Sequence, residues 1–231
     1  LSCAAALRSR GVELRCGEDY LDDIEEDYIF RAPGIRYDVP GFVRAVERGS
    51  ILTSEMQLFF ELCPCRIIGI TGSDGKTTTT TLISKILEAA GYRVFVGGNI
   101  GRPLLPELGN MTENDYAVVE LSSFQLHTMT LSPDIAVVTN ISPNHLNYHK
   151  GMEEYIAAKE NIFTHMRPGG RLVLNAENDY TRDMANRAAE GTALLFFGKD
   201  GDICERDGYI TSGGKRILRC SDILLPGHHN I

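Results

Sequence analysis

The sequence predicts an α/β protein whose main body is a largely parallel sheet flanked by helices. Short apolar runs rich in β-branched residues alternate with stretches of helical periodicity, which is typical of parallel strands joined by helical crossovers. Glycine-containing turns follow several of these runs. Such turns are typical of the carboxyl edge of an open α/β sheet, where ligands bind. Segment 203–218 contains Asp207-Gly208 and Gly213-Gly214, which predict an antiparallel hairpin at the sheet edge.

The first 63 residues predict a smaller domain. Its expected elements begin with the end of a helix stopped by Gly11, a short strand, and a strand over 27–35 that ends in a Pro-Gly turn. A helix over 39–48 follows, and then a strand end and an apolar helical stretch within 50–62. Because the chain begins within a helical pattern, we expect only part of a Rossmann-like domain over 1–63. Pro64 and its flanking cysteines indicate a hinge, and residues 64–231 form the predicted second domain.

The sequence pattern of the second domain predicts a repeated order of strand, turn and helix. The expected strands cover 67–70, 92–96, 116–121, 135–141, 172–175 and 193–197. The expected helices cover 76–90, 152–166 and 179–190. Strands separated by helices favour parallel pairing, because a crossover returns the chain to the same edge of the sheet.

Composition excludes several classes of protein. The chain has 231 residues and a net charge of −8, which argues against a broad nucleic-acid or membrane surface. No apolar run approaches the roughly 18–20 residues of a spanning helix, and no signal-peptide pattern begins the chain. Six scattered cysteines, including the pair Cys63 and Cys65, favour reduced thiols over a zinc knuckle or redox pair. We expect a cytoplasmic monomer without nucleic-acid or membrane partners.

A glycine loop follows the apolar strand at 67–70 and leads directly into a helix. It predicts a P-loop-type phosphate site, because loop amides and a helix N-terminus bind anions. The Lys76 side chain would reach the terminal phosphates of ATP, and the Thr77 hydroxyl would ligate Mg²⁺. Ile70 stands where the strict motif has glycine, so an ordinary glycine turn is the alternative. The expected nucleotide-binding residues are Thr71, Gly72, Ser73, Asp74, Gly75, Lys76, Thr77 and Thr78.

Three further side chains are candidates from their places in the pattern. Glu120 ends an apolar strand and could hold Mg²⁺ beside the loop, the alternative being a solvated glutamate. His145 follows a strand and a proline turn, where a hydrogen-bonded loop histidine is the commoner case. From spacing alone, Lys159 is a surface lysine on a half-apolar helix. The residues therefore predict bound ATP and Mg²⁺, with a second substrate near two glycine loops, one of which is 97–101, and leave the reaction unspecified.

From Gly69 onward the chain resembles the central domain of the Mur ligases, the ATP-dependent amide-forming enzymes of peptidoglycan assembly. Segment 71–77 resembles their short phosphate loop, and segment 155–159 resembles the segment that carries a carbamylated lysine. Segment 226–230 resembles the motif whose asparagine, here Asn230, lies near adenine. Segment 31–35 resembles a turn of the uridine-binding N-terminal domain.

Within the family, segments 97–101 and 120–126 are most similar to the member that adds D-glutamate to UDP-N-acetylmuramoyl-L-alanine through an acyl phosphate. The resemblance implies catalytic roles for Lys76, Glu120, His145 and Lys159. It implies two Mg²⁺ ions, one held by Thr77 and Glu120 and one by His145 and carbamylated Lys159. The implied substrate-binding residues are Pro33, Gly34, Asn99, Ser122, Gln125 and His145.

The chain departs from the family pattern at several positions. Asp74 stands where asparagine is commoner, Ala32 replaces a serine, and Asn144 and Asn147 replace frequent aspartates. The start of the N-terminal domain and the whole C-terminal domain are expected to be absent. Two alternatives stay open: another ligase of the Mur and folylpolyglutamate type, or a nucleotide-binding fragment without turnover.

Overall fold

The computed structural model describes residues 3–225 and divides the chain into two compact units between Thr53 and Ser54. The smaller unit contains helix α1 (Cys3–Arg8), strand β1 (Tyr28–Phe30), helix α2 (Pro40–Glu47) and strand β2 (Ile51–Thr53). The two strands pair in parallel, with Tyr28 opposite Ile51. Ile24, Phe42 and Ala45 form its buried core.

One predicted strand of the smaller unit does not form. Residues 12–16, directly after Gly11, have no regular secondary structure. Val12 is exposed, and the segment pairs with no other strand within residues 3–225. A strand without a hydrogen-bonding partner gains too little to be stable, so the local pattern alone was misleading.

The larger unit is an α/β sheet protein, as the sequence predicts. Its helices are α3 (Glu55–Leu62), α4 (Lys76–Ala89), α5 (Ser123–Leu126), α6 (Met152–Glu160) and α7 (Asp179–Met184). Its strands are β3 (Arg66–Thr71), β4 (Val94–Gly98), β5 (Tyr116–Glu120), β6 (Ile135–Val138), β7 (Arg171–Asn175), β8 (Ala193–Phe197), β9 (Ile203–Arg206), β10 (Tyr209–Ser212) and β11 (Lys215–Arg219). Short 3₁₀ helices cover Leu105–Asn110, Ala185–Arg187 and Cys220–Asp222.

The strands form one sheet in the order β11-β10-β9-β8-β7-β6-β3-β5-β4. Pairing is parallel from β4 to β9 and antiparallel from β9 to β11, which confirms the mainly parallel sheet and its edge hairpin. Because β6, β3, β5 and β4 are neighbours and parallel, their carboxyl ends meet at one edge. The loops that carry the candidate chemistry leave the sheet at this edge.

The central strand β3 is covered on both faces. Ile68 and Ile70 pack with Val118 and Val137 in one buried cluster, beside Ile83 of α4. Successive strand residues point to opposite faces, so Ile67 joins a second and larger cluster on the other side. Burial on both faces explains the continuous apolar run that marks this strand in the sequence.

Helix α3 belongs to the core of the larger unit. Met56, Phe59 and Phe60 are buried in the same cluster as Ile67. Ser54 caps the helix, its hydroxyl accepting a hydrogen bond from the Gln57 N–H at 3.1 Å. The division between compact units therefore lies before α3, ten residues earlier than the expected hinge at 63/64, since the Pro64 turn follows the helix. The functional assignment of the two expected domains stays a prediction.

Two helices end earlier than their patterns predict. Helix α6 stops at Glu160 rather than Met166, and α7 stops at Met184 before a single 3₁₀ turn. Among the described residues, no helix is long and apolar enough to cross a membrane.

Candidate functional site

The loop between β3 and α4 requires glycine at two positions. At Gly72, with φ of 148°, an added β-carbon would lie 1.9 Å from Thr139 Oγ1. Gly75 precedes the helix in the left-handed conformation, with φ of 77°. The chain therefore turns from strand to helix within four residues, as the phosphate-loop pattern predicts.

Side chains from the end of β6 and from α6 hold this loop. Asn140 Oδ1 accepts hydrogen bonds from the N–H groups of Ser73 and Asp74, at 3.1 and 2.9 Å. The Ser73 hydroxyl lies 2.9 Å from the Tyr155 hydroxyl and donates to the Ser142 carbonyl at 3.0 Å. The N–H groups of residues 76–78, in the first turn of α4, have no intrahelical acceptor. A fixed loop followed by these helix N–H groups fits a phosphate group.

Lys76 lies across this loop. Its Nζ donates hydrogen bonds to the carbonyls of Gly72 and Ser73, at 3.0 and 2.8 Å. The ammonium group is thus held at the helix N-terminus, where an anion would bind. Its half-buried side chain makes no contribution to the apolar core.

Glu120 is buried beside the loop, which contradicts the solvated alternative. Only 1% of the residue is exposed. Its Oε2 accepts a hydrogen bond from the Thr77 hydroxyl at 2.7 Å, and its Oε1 accepts one from Asn99 Nδ2 at 2.8 Å. A buried carboxylate beside a hydroxyl oxygen presents the hard oxygen ligands that Mg²⁺ prefers. These residues therefore fit the predicted ion.

The glycine-rich loop after β4 closes against Glu120. At Gly98, an added β-carbon would lie 2.1 Å from the Glu120 carbonyl oxygen. That carbonyl also accepts the Asn99 N–H at 2.8 Å. The glycine therefore permits the close approach that brings the Asn99 amide to the carboxylate.

Lys159 is buried, so the surface position predicted from spacing alone is wrong. The residue is 2% exposed, and its Nζ donates to the Gly72 carbonyl at 2.8 Å and to Thr71 Oγ1 at 3.3 Å. Burial and, to a smaller extent, the positive charge of Lys76 together lower the pKa of its ammonium to about 7, against the opposing effect of Asp74. A buried amine that is partly neutral at pH 7 therefore lies directly behind the phosphate loop.

His145 lies in the loop between β6 and α6. It is exposed, its backbone is left-handed with φ of 53°, and its ring centroid is 4.9 Å from that of Phe124. Among residues 3–225, no hydrogen bond or ion pair joins His145 to Glu120 or Lys159. Its expected part in a second ion site stays a prediction.

Ser122 and Gln125 form a capping box at the start of α5. The Ser122 hydroxyl accepts from the Gln125 N–H at 3.3 Å, while Gln125 Oε1 accepts from the Ser122 N–H at 3.0 Å. These polar atoms satisfy one another at the helix terminus. Their expected contact with substrate stays a prediction, as does that of Asn99.

The remaining predicted residues are Pro33, Gly34 and Asn230. In the smaller unit, the turn at Pro33 and Gly34 is held by Arg31, whose Nη1 donates to the carbonyls of Pro33 at 3.1 Å and Ile35 at 2.6 Å. Only 3% of Arg31 is exposed, so the turn is fixed from within. Asn230 lies outside the described residues.

Sequence reasoning missed Asn140 and Tyr155 as supports of the loop. Tyr155 precedes Lys159 by four residues, so both side chains share one face of α6. That spacing was a usable signal for Tyr155. No local pattern could reveal that Asn140 reaches the loop, because 66 residues separate it from Asp74.

Comparisons with known proteins relate the chain to peptidoglycan-precursor ligases. A family model described as the Mur ligase middle domain matches residues 70–231. A UDP-N-acetylmuramoylalanine–D-glutamate ligase from Acetivibrio thermocellus is 49% identical over 232 residues, covering 96% of this chain and 50% of that protein. The ligase of the same name from Clostridium kluyveri is 47% identical and covers 99% of this chain and 50% of that protein. The chain thus spans about half the length of the curated relatives it matches.

Two solved structures share the fold. The UDP-N-acetylmuramate:L-alanyl-γ-D-glutamyl-meso-diaminopimelate ligase from Neisseria meningitides has a TM-score of 0.63 at 19% identity, covering 98% of this chain and 78% of its own. The UDP-N-acetylmuramate-alanine ligase MurC from Thermotoga maritima has a TM-score of 0.56 at 25% identity, covering 98% of this chain and 53% of its own.

Proposed function

We propose a function from the premise that the chain belongs to the Mur ligase family, as the match over residues 70–231 shows. The proposed reaction joins D-glutamate to UDP-N-acetylmuramoyl-L-alanine and converts ATP to ADP and phosphate. The buried Glu120 carboxylate, hydrogen-bonded to Thr77 at the phosphate loop, carries this proposal. The names of the relatives at 47–49% identity support the choice of substrates.

The chemistry requires an activated carboxylate. A carboxylate is a poor electrophile, so its oxygen first attacks the γ-phosphorus of ATP, and ADP leaves. The amine of D-glutamate then adds to the carbonyl carbon of the acyl phosphate and loses a proton, and the tetrahedral intermediate expels phosphate. Positioning and charge neutralisation supply most of the rate enhancement in such transfers.

The phosphate loop supplies the nucleotide contacts. The ammonium of Lys76 neutralises charge on the β- and γ-phosphates, while the N–H groups of residues 76–78 donate to phosphate oxygens. Asn140 and Tyr155 keep the loop in this shape, since Asn140 accepts from the Asp74 N–H and Tyr155 contacts the Ser73 hydroxyl. The family resemblance adds Asn230 as a contact near adenine.

Thr77 and Glu120 are proposed as oxygen ligands of one Mg²⁺ ion, and His145 and Lys159 as ligands of a second. Bound Mg²⁺ neutralises the charge that develops on the transferred phosphoryl group. Lys159 suits this role only after carbamylation, in which its neutral amine adds to CO₂ and loses a proton. A pKa of about 7 supports the step, because a large fraction of the amine is then neutral at physiological pH. The product is an anionic oxygen ligand.

The substrate contacts complete the proposal. Asn99, Ser122, Gln125 and His145 are assigned to the muramoyl-alanine end of the acceptor. Pro33 and Gly34, in the smaller unit, are assigned to its uridine end. The compartment proposed is the cytoplasm, which supplies ATP and keeps thiols reduced, and all six cysteines of the structure are free. We assign no nucleic-acid or membrane partner and expect a monomer.

This function is tested by measuring phosphate release from the longest form of the protein that can be prepared. We expect release only when ATP, Mg²⁺, UDP-N-acetylmuramoyl-L-alanine and D-glutamate are all present, together with a nucleotide product that retains labelled glutamate. Omitting either UDP-N-acetylmuramoyl-L-alanine or D-glutamate should abolish the product. Equal release with another amino acid in place of D-glutamate would contradict the substrate assignment.

A further inference from the structure

A second cluster of metal-ligating side chains lies beside the nucleotide site. His127 follows α5, His149 lies in the loop before α6, and Glu154 lies in the first turn of α6. We propose that these three residues bind one Zn²⁺ ion, at a site distinct from the Mg²⁺ positions assigned above. Nothing in the proposed ligase chemistry uses any of the three.

The donor atoms converge as a metal site requires. One ligand atom of each residue lies within 4.8 Å of the other two. His127 Nε2 is 3.6 Å from Glu154 Oε1, and His149 Nδ1 is 3.7 Å from Glu154 Oε2. Both distances exceed a normal hydrogen bond. Zn²⁺ with bonds of about 2.0–2.1 Å needs tetrahedral donors roughly 3.3 Å apart. Each histidine is within a few tenths of an ångström of that separation from one oxygen of the Glu154 carboxylate, His127 from Oε1 and His149 from Oε2.

A hydrogen bond from the other ring nitrogen orients His149 as a ligand. Its Nε2 lies 2.9 Å from the Ser123 hydroxyl oxygen. When Nε2 carries the proton and donates it to that oxygen, the lone pair of Nδ1 faces the Glu154 carboxylate. Metal-bound histidines usually donate their other ring N–H to such a partner, which fixes both tautomer and ring orientation.

The three ligand side chains are largely shielded from solvent, which favours metal binding. The side chains of His127 and His149 are 8% and 0% exposed, and that of Glu154 is 20% exposed. The His149 ring stacks on Phe124, with an interplanar angle of 4°, and meets the Tyr155 ring edge-on. The packed aromatic rings restrict rotation of the His149 side chain, so metal binding would cost little further conformational entropy.

The donor set selects the class of metal. A set with two imidazole nitrogens among its three protein ligands suits Zn²⁺, whereas Mg²⁺ prefers sites built mainly of oxygen ligands. Three protein ligands leave a fourth position for water. An ion here would tie the end of α5 to α6, the elements that carry Gln125 and Lys159. It would thus stabilise the arrangement of two candidate site segments without touching the nucleotide.

The direct test is a Zn²⁺ titration of the full 231-residue chain, stripped of metal and kept in excess Mg²⁺. We expect one ion per chain and a higher melting temperature with Zn²⁺. His127→Gln and Glu154→Gln should each weaken binding by more than about 100-fold, and Ser123→Ala by roughly 10-fold. Substituted Co²⁺ should give an intense tetrahedral spectrum without a sulfur-to-cobalt band.

Matched variants separate this site from other possible ligands. His165→Gln removes an exposed histidine, Cys63→Ser with Cys65→Ser removes the thiol pair, and His228→Gln with His229→Gln removes two histidines that are adjacent in the sequence. All three should bind Zn²⁺ as the parent does. No saturable binding by the parent chain, or binding lost in these controls and kept in Glu154→Gln, would overturn the proposal. Neither result bears on the ligase reaction, which is assayed separately.

Discussion

The chemistry of this site rests on charged side chains in unusual surroundings. Lys76 reaches over the phosphate loop, Glu120 is buried against Thr77, and Lys159 is buried behind Gly72. Each makes hydrogen bonds within the loop region, so each is placed by the fold before any ligand binds. Preorganised charge of this kind is the main way in which phosphoryl transfer is catalysed.

The first residue-scale prediction concerns Lys76. Replacing it by alanine should lower ATP-dependent turnover by at least 10²–10³-fold, roughly the loss seen when one transition-state donor is removed. The fold should persist, because the side chain is only half-buried and contacts loop carbonyls. Steady-state kinetics with circular dichroism checks both statements. Lys85→Ala, on the exposed side of the same helix, is the control and should retain full turnover. Unchanged turnover in Lys76→Ala would contradict the assignment of the phosphate loop.

The second residue-scale prediction concerns the pH dependence of stability. The Lys159 ammonium has a pKa of about 7 when folded and 10.5 as its ordinary value. Between these values the unfolded chain binds more protons than the folded chain, so the free energy of unfolding should rise with pH from 7 toward 10.5. Lys159→Met should flatten this rise, by at most about 5 kcal/mol over the whole window.

Urea unfolding in CO₂-free buffer at several pH values measures this effect. Lys85→Met, which replaces an exposed lysine, should keep the parent's pH dependence. An identical slope in the parent and Lys159→Met would show that the buried lysine keeps its ordinary pKa.

At the scale of elements, the strand–loop–helix unit depends on glycine at position 72. Gly72→Ala should weaken ATP binding severely, because its β-carbon would strike Thr139 Oγ1 at 1.9 Å. Gly91→Ala is the matched control: its φ is also positive, but no atom lies within 4 Å of the added carbon. The control should lose only roughly 1–2 kcal/mol of stability and bind ATP normally. Calorimetric titration with ATP measures the affinity of both variants. Equal affinities would show that the clash at position 72 is relieved without any loss of ATP binding.

Elements with strong local signals could be predicted from the sequence, and others could not. Strands β3, β5 and β6 have continuous apolar runs because both their faces are buried, so their positions follow from the sequence. The burial of Lys159 depends on the loop after β3, 87 residues away, and no helical pattern records it. The strand expected after Gly11 fails for the same kind of reason, since pairing depends on a distant partner.

At the scale of the whole molecule, the sheet order creates the site. Strands β6, β3, β5 and β4 are adjacent and parallel, so Asn140, the phosphate loop, Glu120 and Asn99 meet at one edge. The alternation of strands and helices predicts such an edge, and glycine loops point to it. It does not predict which strands are neighbours, because the order depends on crossovers between segments far apart in the chain. The strand order comes instead from the three-dimensional fold, which the chain shares with solved Mur ligase structures.

The central claim is that this edge of the sheet binds ATP together with Mg²⁺ through Glu120 and Thr77. The most direct measurement is ATP affinity of the 231-residue chain with and without Mg²⁺, for the parent, Glu120→Gln and the control Glu113→Gln. Glutamine keeps the size of the buried side chain and removes its charge. We expect Mg²⁺ to strengthen ATP binding in the parent and in Glu113→Gln, and to lose most of that effect in Glu120→Gln. An equal Mg²⁺ effect in all three proteins would contradict the claim.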